Sequence, residues 1–245
     1  MKKLMFNKLI AGSLLSMSLV LGAQASTDSF IITVQTDIMT GTTGESSSTS
    51  FIIPTESGST YDYSVDCGDA SATNGVDVVG DYTCSYDSVG TYTITIDGLF
   101  PRIYFNFVGD AKKILSVRQW GTGAWDSMER AFAGTSNLIT VGSDTPNFSA
   151  SPSLRYMFWQ ASNFNSPIGH WNVSGITDMY GVFLVAGSFD QNISGWDVSS
   201  VKDMTKIFQQ AYMFNADISN WDISSLETMD YMFYYAKKFN QDIGD

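Results

Sequence analysis

Basic side chains are scarce in this sequence. Its 245 residues include 13 Lys and Arg against 25 Asp and Glu, a formal charge of −12. A phosphate backbone is held by clustered Lys and Arg, so nucleic acid is excluded as a partner class. The short basic runs stand isolated: Lys2–Lys3 reads as the basic end of a leader, and "AKK" at Ala111–Lys113 as a solvated loop. Histidine occurs once, at His170, and cysteine twice, at Cys67 and Cys84. That inventory leaves too few ligands for a zinc site. No G-x-S-x-G nucleophile elbow is present. Beyond residue 25 no apolar run is long enough to span a bilayer as a helix, so the sequence implies no integral membrane span once the leader is removed.

The first 25 residues read as an export signal. "MKKLMFNK" is a basic n-region, "LIAGSLLSMSLVLG" an apolar h-region, and "AQA" at Ala23–Ala25 a small-residue cleavage site. Cleavage is expected between Ala25 and Ser26. It removes Lys2, Lys3 and Lys8 and no acid, which leaves 10 basic against 25 acidic residues. No Cys lies near the cut, so the signal is not of the lipoprotein kind. Export places the chain in an oxidising compartment. Cys67 and Cys84 are therefore expected to form a disulfide, the alternative being two buried free thiols.

What is abundant is repetition. Aligned on tryptophan, the chain reads "WNVSGITDMYGVFLVAGSFDQNISG", "WDVSSVKDMTKIFQQAYMFNADISN" and "WDISSLETMDYMFYYAKKFNQDIGD", a period of 25 marked by Trp171, Trp196 and Trp221. Two degenerate units precede them, phased on Pro146 and Trp120, giving about five units starting near 120, 146, 171, 196 and 221. A fixed period of this size is the signature of a stacked array. "WDVSSV" reads as a brief strand or extended turn. Ser199 and Ser224 stand where a helix N-cap would be. Met204, Phe208 and Ala211, and again Met229, Phe233 and Ala236, follow at helical spacing. The expectation is an α/β solenoid of short strands and short helices, with like side chains in ladders and Phe208 in the core. Asp197, Asp217, Asp222 and Asp242 raise the question of calcium, but the glycine-aspartate nonapeptide pattern is absent. His170 shares its repeat position with Gly195, Asn220 and Asp245, as a solvated turn would. No catalytic, metal or cofactor site is read from the sequence. Asp245 stands where a Trp should follow, and no polar cap is visible. That predicts an array cut from a longer one or a truncated gene product, with end-to-end self-association through the uncapped last repeat.

The region 26–110 has a different texture. "FIITVQT", "SFIIPT", "YDYSVDCGD", "GDYTCSY", "GTYTITIDG" and "RIYFNF" alternate with Gly, Ser, Asp and Thr turns, which predicts an all-β sandwich. "TGTTGESSSTS" reads as a polar, flexible loop tip.

"VDCGD…YTCSYDSVGTYTITI" resembles the PKD domain, an Ig-like sandwich in which a "WGDG" turn is followed by "H-x-Y…G-x-Y-x-V". Cys67 stands at the Trp position and Cys84 at the His position, so the resemblance implies a disulfide in place of aromatic packing. Asp66, Asp69, Tyr86, Gly90 and Tyr92 keep the pattern, and Ala70 replaces the final Gly. The stretch "FPRIYFN…ILSVRQWGTGAWDSMERAFAGTSNL" with the Trp-phased units resembles the BspA-like bacterial surface proteins, which carry a leucine-rich-type repeat of 25–26 residues. That resemblance implies a secreted or surface-displayed protein, a leucine-rich-repeat-like solenoid over 111–245, and adhesion or matrix contact. The expected function is non-enzymatic binding of an extracellular or matrix protein or a surface glycan. The alternatives are a structural surface-layer component and a secreted glycan-active enzyme. The variable positions after each Met, Tyr180, Thr205 and Asp230, are exposed candidates for contact, although the sequence alone does not define a binding site.

Overall fold

The computed structural model describes residues 26–39 and 41–243. The leader, Ala25 of the expected cleavage site, and Asp245 lie outside the described residues. Ser26 is exposed, and its hydroxyl accepts the Asp28 N–H.

The first part of the chain forms two antiparallel sheets. β1 (Phe30–Gln35), β3 (Asp62–Asp66), β4 (Gly75–Val78), β6 (Thr91–Leu99) and β7 (Ile114–Gln119) make a five-stranded sheet in the order β4-β3-β6-β1-β7. β2 (Ser50–Ile53) and β5 (Tyr82–Ser85) make a two-stranded one. β1 pairs with β6 on one side, Ile32 opposite Ile94, and with β7 on the other. As a central strand it is apolar at nearly every position, and Phe30, Ile31, Ile32 and Val34 are all buried. A disulfide joins Cys67, just after β3, to Cys84 in β5, and so ties one sheet to the other. The Tyr86 hydroxyl donates to the Cys67 carbonyl at 3.0 Å beside it.

Three local expectations change. "RIYFNF" is not a strand, whereas β4 and β7 are. "AKK" is not a solvated loop: Lys113 is fully buried. Its ammonium lies 3.1 Å from Asp110 and donates to the carbonyls of Ser46, Ser47 and Ser50. Asp110 in turn accepts the N–H groups of Ser46 and Ile52. A buried cation is tolerated when its donors are all used in this way. The same bonds hold the 46–50 end of the expected flexible loop tip.

The repeats form a stack of 25-residue coils that continues from β7, with Ser116 bridged in parallel to Thr140. The expected α/β solenoid of short strands and helices is corrected. No helix occurs among the described residues, and the only extended pairing in the later coils is the parallel bridge series Ser153–Asp178–Asp203–Thr228. The reason lies in the backbone hydrogen bonds. An α-helix turns every N–H back onto its own chain. Here they alternate. Met179, Gly181, Phe183 and Val185 donate to the carbonyls of Asp203, Thr205, Ile207 and Gln209 in the next coil at 2.8–2.9 Å. Met204, Lys206, Phe208 and Gln210 repeat this toward Thr228, Asp230, Met232 and Tyr234. The N–H groups between them, Ile207, Gln209 and Ala211, close turns onto residues three back. Lys206 and Gln210 take positive φ, 59° and 58°, which a right-handed helix forbids. Ser199 does not cap a helix either. It donates from both N–H and hydroxyl to Asp197, and the Ser224 N–H donates to Asp222. Those carboxylates organise turns.

The apolar stripe points inward as expected. Phe158, Phe183, Phe208 and Phe233 stack in one ladder at 5.7–5.9 Å, and Phe164, Phe189, Phe214 and Phe239 in a second at 5.8–6.0 Å. Phe208 is fully buried. Trp196 and Trp221 donate their indole N–H groups to the carbonyls of Ile168 and Ile193, one coil back. Where the unit at 146 lacks a Trp, Trp120 and Trp171 meet directly at 5.5 Å. At the start of the stack Phe105, Asn106 and Phe107 cover the carbonyls of Ala131, Arg130 and Ala133.

Candidate functional site

Inward columns of the stack hold mainly Met, Phe, Ala and Trp, with Leu154 and Pro146 as departures in the unit at 146. Three outward columns change their residues. The first runs Glu129, Arg155, Tyr180, Thr205, Asp230. The second runs Arg130, Tyr156, Gly181, Lys206, Tyr231. The third runs Ala133, Trp159, Leu184, Gln209, Tyr234. Positive φ recurs along the second column, at Arg130, Tyr156, Gly181, Lys206 and Tyr231.

They assemble one lateral face. The Arg155 guanidinium lies 3.9 Å above the Tyr180 ring and 5.4 Å from Tyr156. It is also held by Asp178 at 3.5 Å and Asp203 at 3.8 Å. Arg130 covers Tyr156 from the preceding coil at 5.5 Å. Lys206 covers Tyr180 from the following one at 5.5 Å. Tyr156 packs against Tyr180 at 4.9 Å and Trp159 at 4.6 Å, and Trp159 against Phe107 at 4.4 Å. Gly181 makes room for this packing: a Cβ there would meet the Tyr156 ring at 2.8 Å. On this face Gln209 Oε1 is buried without a hydrogen-bond donor among the described residues.

The two tyrosines are driven apart electrostatically. Burial pushes the Tyr156 hydroxyl up to about 12. A hydrogen bond with Lys206, then one with Tyr156, draws Tyr180 below the ordinary tyrosine value. Tyr180 is thus the more acidic phenol of a cationic pocket.

Of the three positions singled out from sequence, Tyr180 is half-buried at the centre of this face, Thr205 is half-buried beside it, and Asp230 is exposed. Arg130, Arg155, Tyr156, Trp159 and Lys206 were not singled out. The signal that finds them is their place in changing columns. His170 is exposed, its Nε2 3.4 Å from the Asp144 carbonyl, and no ion pair joins it to another titratable group among the described residues. The repeat acids work within the stack. Hydrogen bonds from Ser199, Ser219 and Ser224 hold Asp197, Asp217 and Asp222 below the usual carboxylate range. Among the described residues no group of three or more His, Cys, Asp or Glu is placed to hold a metal ion. No helix among them is long and apolar enough to cross a membrane.

The family described as "Mycoplasma protein of unknown function, DUF285" matches residues 105–168 and 126–245, together more than half of the chain. The chain belongs to this family. The DUF285 matches take in every coil, the covering residues Phe105–Phe107 and the whole lateral face. They start after β6, so the two-stranded sheet and most of the five-stranded one precede them. Neither a curated protein nor a solved structure matches the chain.

Proposed function

We propose that this protein is an exported, surface-acting binding protein without catalytic activity, and that the lateral face around Arg155 and Tyr180 is its contact surface. The partner is an extracellular protein or a surface glycan. The observation that carries the reading is the concentration of Arg, Tyr and Trp into one continuous face of an otherwise acidic chain. These residue types dominate binding energy at interfaces. Arg155 is already braced by two carboxylates and a ring, so little side-chain freedom is lost on contact. Gln209 Oε1 offers an unused acceptor beside it. The leader-like first 25 residues support export, as does the inter-sheet disulfide. The BspA-like and PKD-like resemblances point the same way.

The test is binding of the purified chain to immobilised matrix proteins and to a glycan array. Saturable binding that is lost in Tyr180→Ala and Arg155→Ala, with melting unchanged, is the expected result. Regular self-assembly without any partner binding would favour a surface-layer role instead. Turnover of any glycan by the chain would overturn the non-enzymatic reading.

A further inference from the structure

A second site is marked by a break in the repeat, in the coil at 146. Pro146 stands in the column of Trp171, Trp196 and Trp221, and Phe148 in that of Val173, Val198 and Ile223. Ser151 replaces the apolar residue kept at Ile176, Val201 and Leu226, and Pro152 heads the column of Thr177, Lys202 and Glu227. At this break the surface opens into a groove of about 500 Å³, between residues 145–152 of one coil and Asn172, Ser174 and Gly175 of the next. That volume lies in the range of small-molecule sites. The break also reaches the core. Trp196 and Trp221 donate their indole N–H groups one coil back, whereas that of Trp171 is buried without an acceptor among the described residues.

The lining has a definite chemistry. No charged side chain takes part in it, in a chain of formal charge −12. Pro146 and Phe148 are buried beneath the groove, and Phe148 is held edge-on against Trp171 at 5.6 Å, so the floor is apolar and firm. The rim carries amides and hydroxyls. Asn147 and Asn172 border the groove, and Asp197 and Asp222 continue their column beyond it. All four make the same turn, Oδ1 accepting the N–H of the Ser two residues on. A carboxylate serves that turn as well as an amide, so the side-chain N–H groups of Asn are surplus to it. Those of Asn172 have no acceptor among the described residues, and the hydroxyls of Thr145 and Ser149 have no partner there. Asn147 uses one of its own on the Thr122 carbonyl.

We infer that this groove binds a neutral saccharide unit, its ring face on Pro146 and Phe148 and its hydroxyls on the Asn172 amide and the Thr145 and Ser149 hydroxyls. A sugar ring is uncharged, has an apolar face of C–H groups, and carries donors and acceptors around its edge. The groove offers the complement of each. A cationic ligand would find no carboxylate in the lining, and an anionic one no basic group. A wholly apolar ligand would cover the free amide and hydroxyls without pairing them, which is costly. The groove shares no residue with the face around Arg155 and Tyr180, so it stands whether or not that face is the contact surface.

The experiment titrates glucose, galactose, N-acetylglucosamine and lactose into the purified chain, with glucuronate as the charged control, and follows backbone and Asn side-chain amides by NMR. At least one neutral sugar should shift the Asn172 side-chain amide and the Gly175 backbone amide saturably, and glucuronate should not. Asn172→Asp keeps the turn, as Asp197 does, and should weaken binding of that sugar about tenfold. Asn192→Asp makes the same change in another column and should leave the affinity unchanged. Gly175→Leu provides a second variant: a Cβ there meets no atom within 4 Å, so the substitution is accommodated and its side chain should obstruct the groove. Tyr180→Ala and Arg155→Ala should bind the sugar as the parent chain does, which separates failure of this site from failure of the lateral face. The proposal falls if no sugar of the set shifts these amides, if the shifts grow without saturating, or if glucuronate binds as well as the neutral sugars. It also falls if Asn172→Asp and Gly175→Leu bind as tightly as the parent chain.

Discussion

Replacing Phe208 with Ala tests the stacked core most sharply. The ring is fully buried, 5.7 Å from Phe183 and 5.8 Å from Phe233 along the ladder, and 3.8 Å from Phe214 within its own coil. Truncating a buried Phe costs about 3–5 kcal/mol. Aromatic pairs contribute roughly 0.5–1.5 kcal/mol each beyond area burial, so two ladder contacts place Phe208→Ala in the upper half of that range. Phe233 is the matched control. It has the same ladder neighbour on one side only and is partly exposed, so Phe233→Ala should cost about half as much. Urea unfolding followed by Trp fluorescence gives both numbers. Amide exchange should show the Phe208→Ala damage reaching the coils on both sides, because coupled repeats share their cores. Equal costs for the two variants, or a Phe208→Ala cost below about 1 kcal/mol, would refute the account of the ladder.

Three further outcomes are expected. Reducing Cys67–Cys84, 17 residues apart, should lower stability by roughly 3 kcal/mol, read as a shift in the urea midpoint; an unchanged midpoint would show that the bond between the sheets carries no stability. Lys113→Met strands the Asp110 carboxylate and should cost about 3–5 kcal/mol, whereas a surface lysine such as Lys237 should change stability by less than about 0.5 kcal/mol when replaced. In an ultraviolet pH titration Tyr180 should ionise below the ordinary tyrosine value and Tyr156 near 12. Lys206→Met should move Tyr180 upward, since it removes the hydrogen bond that favours the phenolate, and a Tyr180 that stays put would contradict the geometry of the face.

The sequence carried the period, the tryptophan phase and the inward ladders, because like side chains recur at fixed spacing only when they share a core. It also carried the cysteine pair. It misled on the backbone. Met204, Phe208 and Ala211 are spaced as on a helix, yet successive three-residue turns produce the same spacing while every second N–H leaves for the next coil. Gly181 held the clue, since a glycine in a column shared with Tyr156, Lys206 and Tyr231 reports positive φ. Lys113 was illegible for another reason. Its partners come from Asp110 nearby and from Ser46–Ser50 far back in the chain, and no local pattern reveals such a cage. The lateral face was half legible. Tyr180 stood out as a variable position, but only the fold brings Arg130, Arg155, Tyr156 and Lys206 around it.

The central claim is that this face, held out by the stack, makes the contact. Its most direct measurement is the affinity of the purified chain for its captured partner, compared with Arg155→Ala, Tyr180→Ala and the double variant. Each single change should weaken binding at least about tenfold. The double variant should lose less than the sum of the two, because the side chains touch and act as one unit, while all three melt like the parent chain. Full affinity in the double variant would contradict the account.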